Sequence, residues 1–377
     1  MQKTIHRIDS IDEIANHYGF KKINIPTIHQ SGEIFLHPEQ KIPILKKYCA
    51  SCSAKPHDAV SMLYHNKQIL TNKRLQKTNT VPTKNFNFDI LGVSDCIAEA
   101  TIIHTAVTTL KEEGFKNVFV NINSIGDKDS ITNFKDALFD YYKSKSNELH
   151  PKCRGFYKKD VFNLLLCQHK ECQSLRASVP RSIYFLSNNS RKHLTKTIEY
   201  LESMNIVYNI DDLLISPNNY FSKIIFEIKR KEQQSQDEIL LGRGGRYDEL
   251  AEKIIKRKNI SAVGVSLEFV KIKKPILKKT SQNNPKFYFI QLGLKAKLRS
   301  LPVIEQIRNS KISIQQDLHI DKYMEQLKKA EEMKVPYALI LGQKEVINDT
   351  IIVKDLRQAT QKIIGLNVLL DYLKQLA

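Results

Sequence analysis

The chain lacks any apolar run long enough to cross a bilayer. Its most hydrophobic stretches, residues 161–167 and 337–341, fall far short of the roughly 20 residues a membrane helix needs. A soluble chain with no membrane partner is therefore expected. The opening Met1-Gln-Lys-Thr-Ile-His-Arg lacks the apolar core of a secretory signal, which makes the cytoplasm the expected location. Cysteine is scarce, with six in 377 residues, so the thiols read as reduced groups rather than a disulfide framework. Internal repeats and low-complexity tails are absent. Acidic residues are also in deficit: Asp+Glu 40 against Lys+Arg 59 leaves a net charge of +19. Such a surplus attracts polyanions, with nucleic acid as the leading partner class. A compositional bias toward lysine would give the same surplus, so the chemistry has to come from motifs.

What is present is an ordinary globular balance, 41% apolar and 26% charged. At roughly 150 residues per domain, this length implies two to three domains. Residues 10–18 read as a short helix with Ser10 near its N-cap and Gly19 as its stop, followed by a strand over 21–28. In the strand 85–93, Phe86, Phe88 and Ile90 point one way while Asn85, Asn87 and Asp89 point the other. Helices over 96–114, 127–144 and 192–205 and strands over 117–125, 207–215, 220–229 and 238–242 complete an α+β domain. Residues 271–286 are basic, hold two prolines and lack an apolar period, as a linker does. Beyond them the pattern alternates: strand 287–292, helix 294–310, strand 312–318, helix 320–335, strands 337–342 and 350–354, helix 365–375. That order predicts a smaller α/β domain with a mostly parallel sheet.

Cys49 and Cys52 have metal-ligand spacing, and Cys167 and Cys172 could add two thiolates, with His169 between them. The second pair lacks the tight two-residue spacing, and the sequence between the pairs reads as folded elements. No metal is expected.

The strand 238–242 runs into Arg243-Gly244-Gly245-Arg246-Tyr247-Asp248 and then a helix. Glycines there admit a ligand close to the backbone, and arginines can clamp a carboxylate or phosphate. This run, followed by Ser261-Ala-Val-Gly264, resembles the loop and third motif of the class II histidyl-tRNA synthetases. Residues 85–92 are similar to the end of that family's second motif, and Leu36-His37-Pro38-Glu39 to the Leu-Arg-Pro-Glu that precedes it. The spacing of Cys153, Cys167 and Cys172 matches one in the family's insertion, here about 125–192, and Ala338-Leu-Ile-Leu-Gly342 with Val353-Lys354-Asp355-Leu356 resembles its anticodon-binding domain. The resemblance implies a class II antiparallel sheet with helices over 1–271, a linker over 272–286 and an anticodon-binding-like domain over 287–377. It also implies a homodimer.

The departures bear on activity. Adenylation sets charge on phosphoryl oxygens that preorganised cations must meet. The positions where the resemblance implies arginine are held by Thr71, Ser216 and Phe269, and the segment between Gly32-Glu33 and Leu36 is nearly deleted. Lys73, Arg74 and Arg243 are the candidate substitute cations. A ligand pocket is expected from Asn85, Asp89, Tyr220, Phe221, Gly244, Gly245 and Arg246. The function that follows is a synthetase-like protein with lost or impaired adenylation that binds tRNA or another RNA. The alternatives are an active divergent histidine–tRNA ligase using ATP and Mg, and a regulatory subunit of ATP phosphoribosyltransferase. No cofactor is demanded outside the active-ligase case.

Overall fold

The structure is a computed structural model that describes residues 10–24, 38–52, 60–67, 83–216, 220–232, 237–270 and 285–376. Two sheets organise the described residues. The first has eight strands: β1 (Lys21–Lys22), β2 (Ser61–Lys67), β3 (Thr83–Leu91), β4 (Val118–Gly126), β5 (Tyr208–Ile210), β6 (Ser222–Lys231), β7 (Glu238–Arg246) and β8 (Ala262–Val270). Their spatial order is β1-β2-β3-β8-β7-β6-β4-β5. Pairing is antiparallel except at the two edges, where β1 joins β2 and β5 joins β4 in parallel.

The alternation in β3 sets the two faces. Phe86, Phe88 and Ile90 enter one apolar cluster together with Val263, Val265, Leu267 and Phe269 of β8. Helices α1 (Ser10–His17) and α3 (Ile97–Glu112) contribute to the same cluster, as does the helix Asn188–Ser203. From Ile97 to Leu110 every residue of α3 is buried, as expected of a helix covered on all sides. The cluster continues through Leu301, Ile304 and Leu339 into the C-terminal domain. On the other face, α2 (Pro38–Cys52) packs Ile44, Leu45 and Tyr48 into a second cluster with Leu63, Ile225 and Tyr247. The insertion joins that cluster. It opens with α4 (Lys128–Ser144), capped by Asp127, whose carboxylate also accepts from Ser187, the cap of Asn188–Ser203.

The second sheet has the order β10-β9-β11-β12-β13, from β9 (Phe287–Gln291), β10 (Ile314–Gln316), β11 (Tyr337–Leu341), β12 (Thr350–Asp355) and β13 (Gln361–Gly365).

Several expectations shift. The C-terminal sheet is not mostly parallel: β12 and β13 form an antiparallel hairpin added to the parallel β10-β9-β11 trio. The last helix accordingly starts at Leu369, because 361–365 is strand. The expected strand 207–215 stops at Ile210, where Asp211 turns the chain by accepting from the Leu213 amide. The expected strand 21–28 is confined to Lys21–Lys22 among the described residues. Helix α2 and strand β2 have no counterpart in the sequence reading. Most of the 272–286 linker lies outside the described residues.

Candidate functional site

The polar face of the first sheet is built by register. Across the strands, His65, Asn87, Ser266, Arg243, Glu227, Asn121 and Asn209 fall into one row. The adjacent row holds Asp89, Gly264 and Gly245. Directly paired residues share a face, so this polar band lies opposite the phenylalanines of β3. Asn85 and Asp89, expected in the pocket, both face it, and Asn85 accepts from Asn87 Nδ2 at 2.7 Å. Asn85 Nδ2, Asp89 Oδ2 and Ser266 Oγ are buried there without a hydrogen-bond partner among the described residues. Buried polar atoms left open in this way are suited to pair with a polar ligand.

Helix α2 delivers a cation to this band. Lys41 lies on the same stripe as Ile44, Leu45 and Tyr48, at helical spacing, and is buried with them. Its Nζ meets Asp89 Oδ1 at 2.5 Å and sits 5.1 Å from the Tyr247 ring centre. Tyr247 donates its hydroxyl to the same Asp89 oxygen at 2.6 Å. Burial, with the Asp89 charge beside it, pushes the Tyr247 phenol well above its ordinary value. Gly264 makes room for this group, since a Cβ there would lie 2.8 Å from Lys41 Nζ and against Asp89.

The other expected pocket residues divide. Phe221 is buried beside the half-buried Tyr220, with ring centres 4.4 Å apart, and its ring fills the space a Cβ on Gly245 would take. Gly244 lies on the opposite, apolar face, where the Phe226 ring covers it. Arg246 leaves the pocket altogether. Its Nε and Nη2 meet the two Glu99 oxygens at 2.6 Å, and its Nη1 donates to the Val93 carbonyl at 3.0 Å. His193 adds a contact to Glu99 at 2.7 Å. Burial alone would raise the Glu99 carboxyl, but the Arg246 and His193 partners outweigh it and bring its pKa down to about 2.

Of the candidate substitute cations, Arg243 is described, and it too is paired internally. Arg243 donates to Glu227 at 2.9 and 2.6 Å. Phe269 points to the apolar face and stacks on Phe86, with ring centres 6.1 Å apart. The half-buried Glu268 occupies the polar side next to it, opposite Asn85, and its partial burial raises its carboxyl pKa. Ser216 is buried. Thr71, Lys73 and Arg74 lie outside the described residues, as do Leu36 and His37. Cys49 sits half-buried on α2, and Cys52 on α2 is not described beyond its backbone.

A separate cavity of about 850 Å³ opens between the two domains, lined by Lys21, Tyr48 and Met62 on one side and Asp317, His319 and Lys329 on the other. It does not include the polar band.

Comparison with known proteins follows the two sheets. Residues 293–376 match the anticodon binding domain family. Over 346 residues the chain is 26% identical to the histidine–tRNA ligase of Dehalococcoides mccartyi strain CBDB1, spanning 91% of this chain and 82% of that protein. Over most of its length the chain is similar to histidyl-tRNA synthetases. The histidine–tRNA ligase of Halothermothrix orenii is 29% identical over 292 residues, 76% of this chain and 69% of its own length. The apo histidyl-tRNA synthetase of S. aureus shares the fold at a TM-score of 0.54 and 20% identity, over 96% of this chain and 93% of that one. The eight-stranded sheet thus has the class II synthetase fold, and the domain after it matches the anticodon binding domain family.

Four residues described here are not among the pocket residues expected from the sequence: Lys41, Tyr247, Glu99 and Ser266. Two of them leave a sequence signal. Lys41 falls at i, i+3, i+4, i+7 with Ile44, Leu45 and Tyr48, and Glu99 is a lone acid in the apolar start of α3.

Proposed function

We propose that this chain is a histidyl-tRNA synthetase family protein with lost or impaired adenylation, which binds tRNA through its anticodon-binding domain and keeps a polar pocket for a small ligand. One observation carries the reading. The two cations described on the polar band are held by internal carboxylates, Lys41 by Asp89 and Arg243 by Glu227, and the motif arginine Arg246 lies away from it on Glu99. A guanidinium already paired in this way must first break that pair before it can meet phosphoryl charge, which removes its value as a preorganised donor. Phe269, on the apolar face, adds none. Support for tRNA comes from the net charge of +19 and the match of 293–376 to an anticodon binding domain. On the helix Leu294–Asn309, Lys295 is exposed, while Arg299 is paired with Asp349 at 2.7 Å.

The test is ATP–pyrophosphate exchange with and without histidine, on the full chain and on Arg243→Ala as a control for contaminating ligase. Exchange at background in both, with salt-dependent retention of tRNA, is expected. Histidine-dependent exchange that Arg243→Ala abolishes would make the protein an active divergent ligase using ATP and Mg. Sedimentation of the same preparation reads whether it is the homodimer that the family implies.

A further inference from the structure

The insertion after α4 is a succession of very short helices: Pro151–Cys153, Phe156–Lys159, Phe162–Leu166 and Lys170–Ser174. Helices of this length do not hold themselves together in water. Three buried cysteines punctuate them. Cys153 ends the first turn, Cys167 follows the third helix directly, and Cys172 lies within the fourth.

Their sulfurs converge. Cys153 Sγ is 3.5 Å from Cys167 Sγ, and the ligand atoms of Cys153, Cys167 and Cys172 all lie within 4.8 Å of one another. His169 Nδ1 completes the group, 3.4 Å from Cys153 Sγ and 3.2 Å from Cys167 Sγ. Bonds of about 2.3 Å to sulfur and about 2.0 Å to nitrogen in a tetrahedron separate two thiolates by about 3.8 Å and a thiolate from an imidazole by about 3.5 Å. The Cys153–Cys167 separation and the two from His169 Nδ1 lie within a few tenths of an ångström of these, and Cys172 Sγ lies within 4.8 Å of both other sulfurs. His150 stacks on His169 with ring centres 3.8 Å apart and holds its plane.

We propose that Cys153, Cys167, Cys172 and His169 bind one zinc ion that staples the insertion. Four protein ligands leave no open position, so the site is structural rather than catalytic. The thiols lose their protons on binding, and zinc with three thiolates carries a net negative charge. Arg176, whose guanidinium donates to the Cys167 carbonyl, stands beside it as counter-charge. Cys49, which has the tighter spacing in sequence with Cys52, takes no part: among the described residues it belongs to no ligand cluster.

Metal analysis of the full chain purified without chelator tests this directly. About one zinc per chain is expected, retained in Cys49→Ser and lost in Cys167→Ser. His150→Ala keeps the metal, whereas His169→Ala weakens it at least tenfold in a chelator competition. Because Cys167→Ser could fail to fold, the unsubstituted chain is also stripped and refilled with cobalt, where the thiolate charge-transfer band and the d–d bands of a tetrahedral ion report the same ligand set. A chain that is folded and reduced yet carries no zinc and gives no cobalt spectrum overturns the proposal, as does full zinc retention in a folded Cys167→Ser protein.

Discussion

Arg246 and Glu99 form a two-pronged ion pair with both contacts at 2.6 Å and neither side chain exposed to solvent. The pair joins the end of β7 to the first turn of α3. The arginine of the Gly244-Gly245-Arg246-Tyr247-Asp248 run is therefore a strut between sheet and helix. Removing either partner strands a buried charge, and that penalty sets the size of the effect. Arg246→Ala and Glu99→Ala should each lower stability by about 3–5 kcal/mol, read as a shift in urea midpoint.

The same pair predicts a pH dependence. Glu99 has its pKa lowered from 4.5 to about 2, against the direction of burial, by Arg246 and His193. A carboxyl held below its unfolded value stabilises the fold fully above the unfolded pKa. That contribution drains away as pH falls through the folded one. Urea midpoints should therefore decline between pH 4.5 and 2, and Glu99→Gln should flatten that part of the slope.

Gly264 is where the polar band is tightest. A methyl group there would run into Asp89 and come within 2.8 Å of Lys41 Nζ, both buried. Gly264→Ala should destabilise by about 1–3 kcal/mol through overpacking. Gly155→Ala, whose Cβ would meet nothing within 4 Å, should leave the melting temperature nearly unchanged and serves as the control.

The two domains meet through Glu305 on the helix Leu294–Asn309. It accepts from the Tyr18 hydroxyl of the first domain at 2.5 Å and from Arg308 at 2.6 Å, while Arg308 reaches Glu112 at 3.3 Å. Glu305→Ala leaves Tyr18 and Arg308 without this shared acceptor. Calorimetry should then show the unfolding transition broaden or divide as the domains uncouple.

Phe269 offers a check on the adenylation reading. Its ring is stacked on Phe86 and edge-on to Phe115 in the core. Phe269→Arg should leave ATP–pyrophosphate exchange at background, because the new cation enters the apolar face and not the site. The melting temperature should fall sharply, as a buried unpaired charge demands.

Much of the first sheet was legible in the chain. The alternation of Asn85, Phe86, Asn87, Phe88, Asp89 and Ile90 told polar face from core face, and the structure keeps that division. The placing of Gly244 and Arg246 was not legible, because adjacent glycines carry no hydrophobic signal and a motif arginine reads the same whether it meets a ligand or an internal glutamate. The hairpin of β12 and β13 was missed for a similar reason: 361–365 is mostly exposed, so its apolar pattern is weak.

The sequence by itself determined which side of β3 faces the core, the order of the motifs, the change of pattern beyond residue 286 and the excess positive charge. Those are local or additive properties. Only the tertiary structure decided that Arg246 belongs to Glu99, that Lys41 crosses from α2 to Asp89, and that Cys153, Cys167 and Cys172 gather with His169. A period of two tells a residue which face it takes but not which strand lies beside it, and partners 48 or 147 residues apart meet through strand order and helix packing alone.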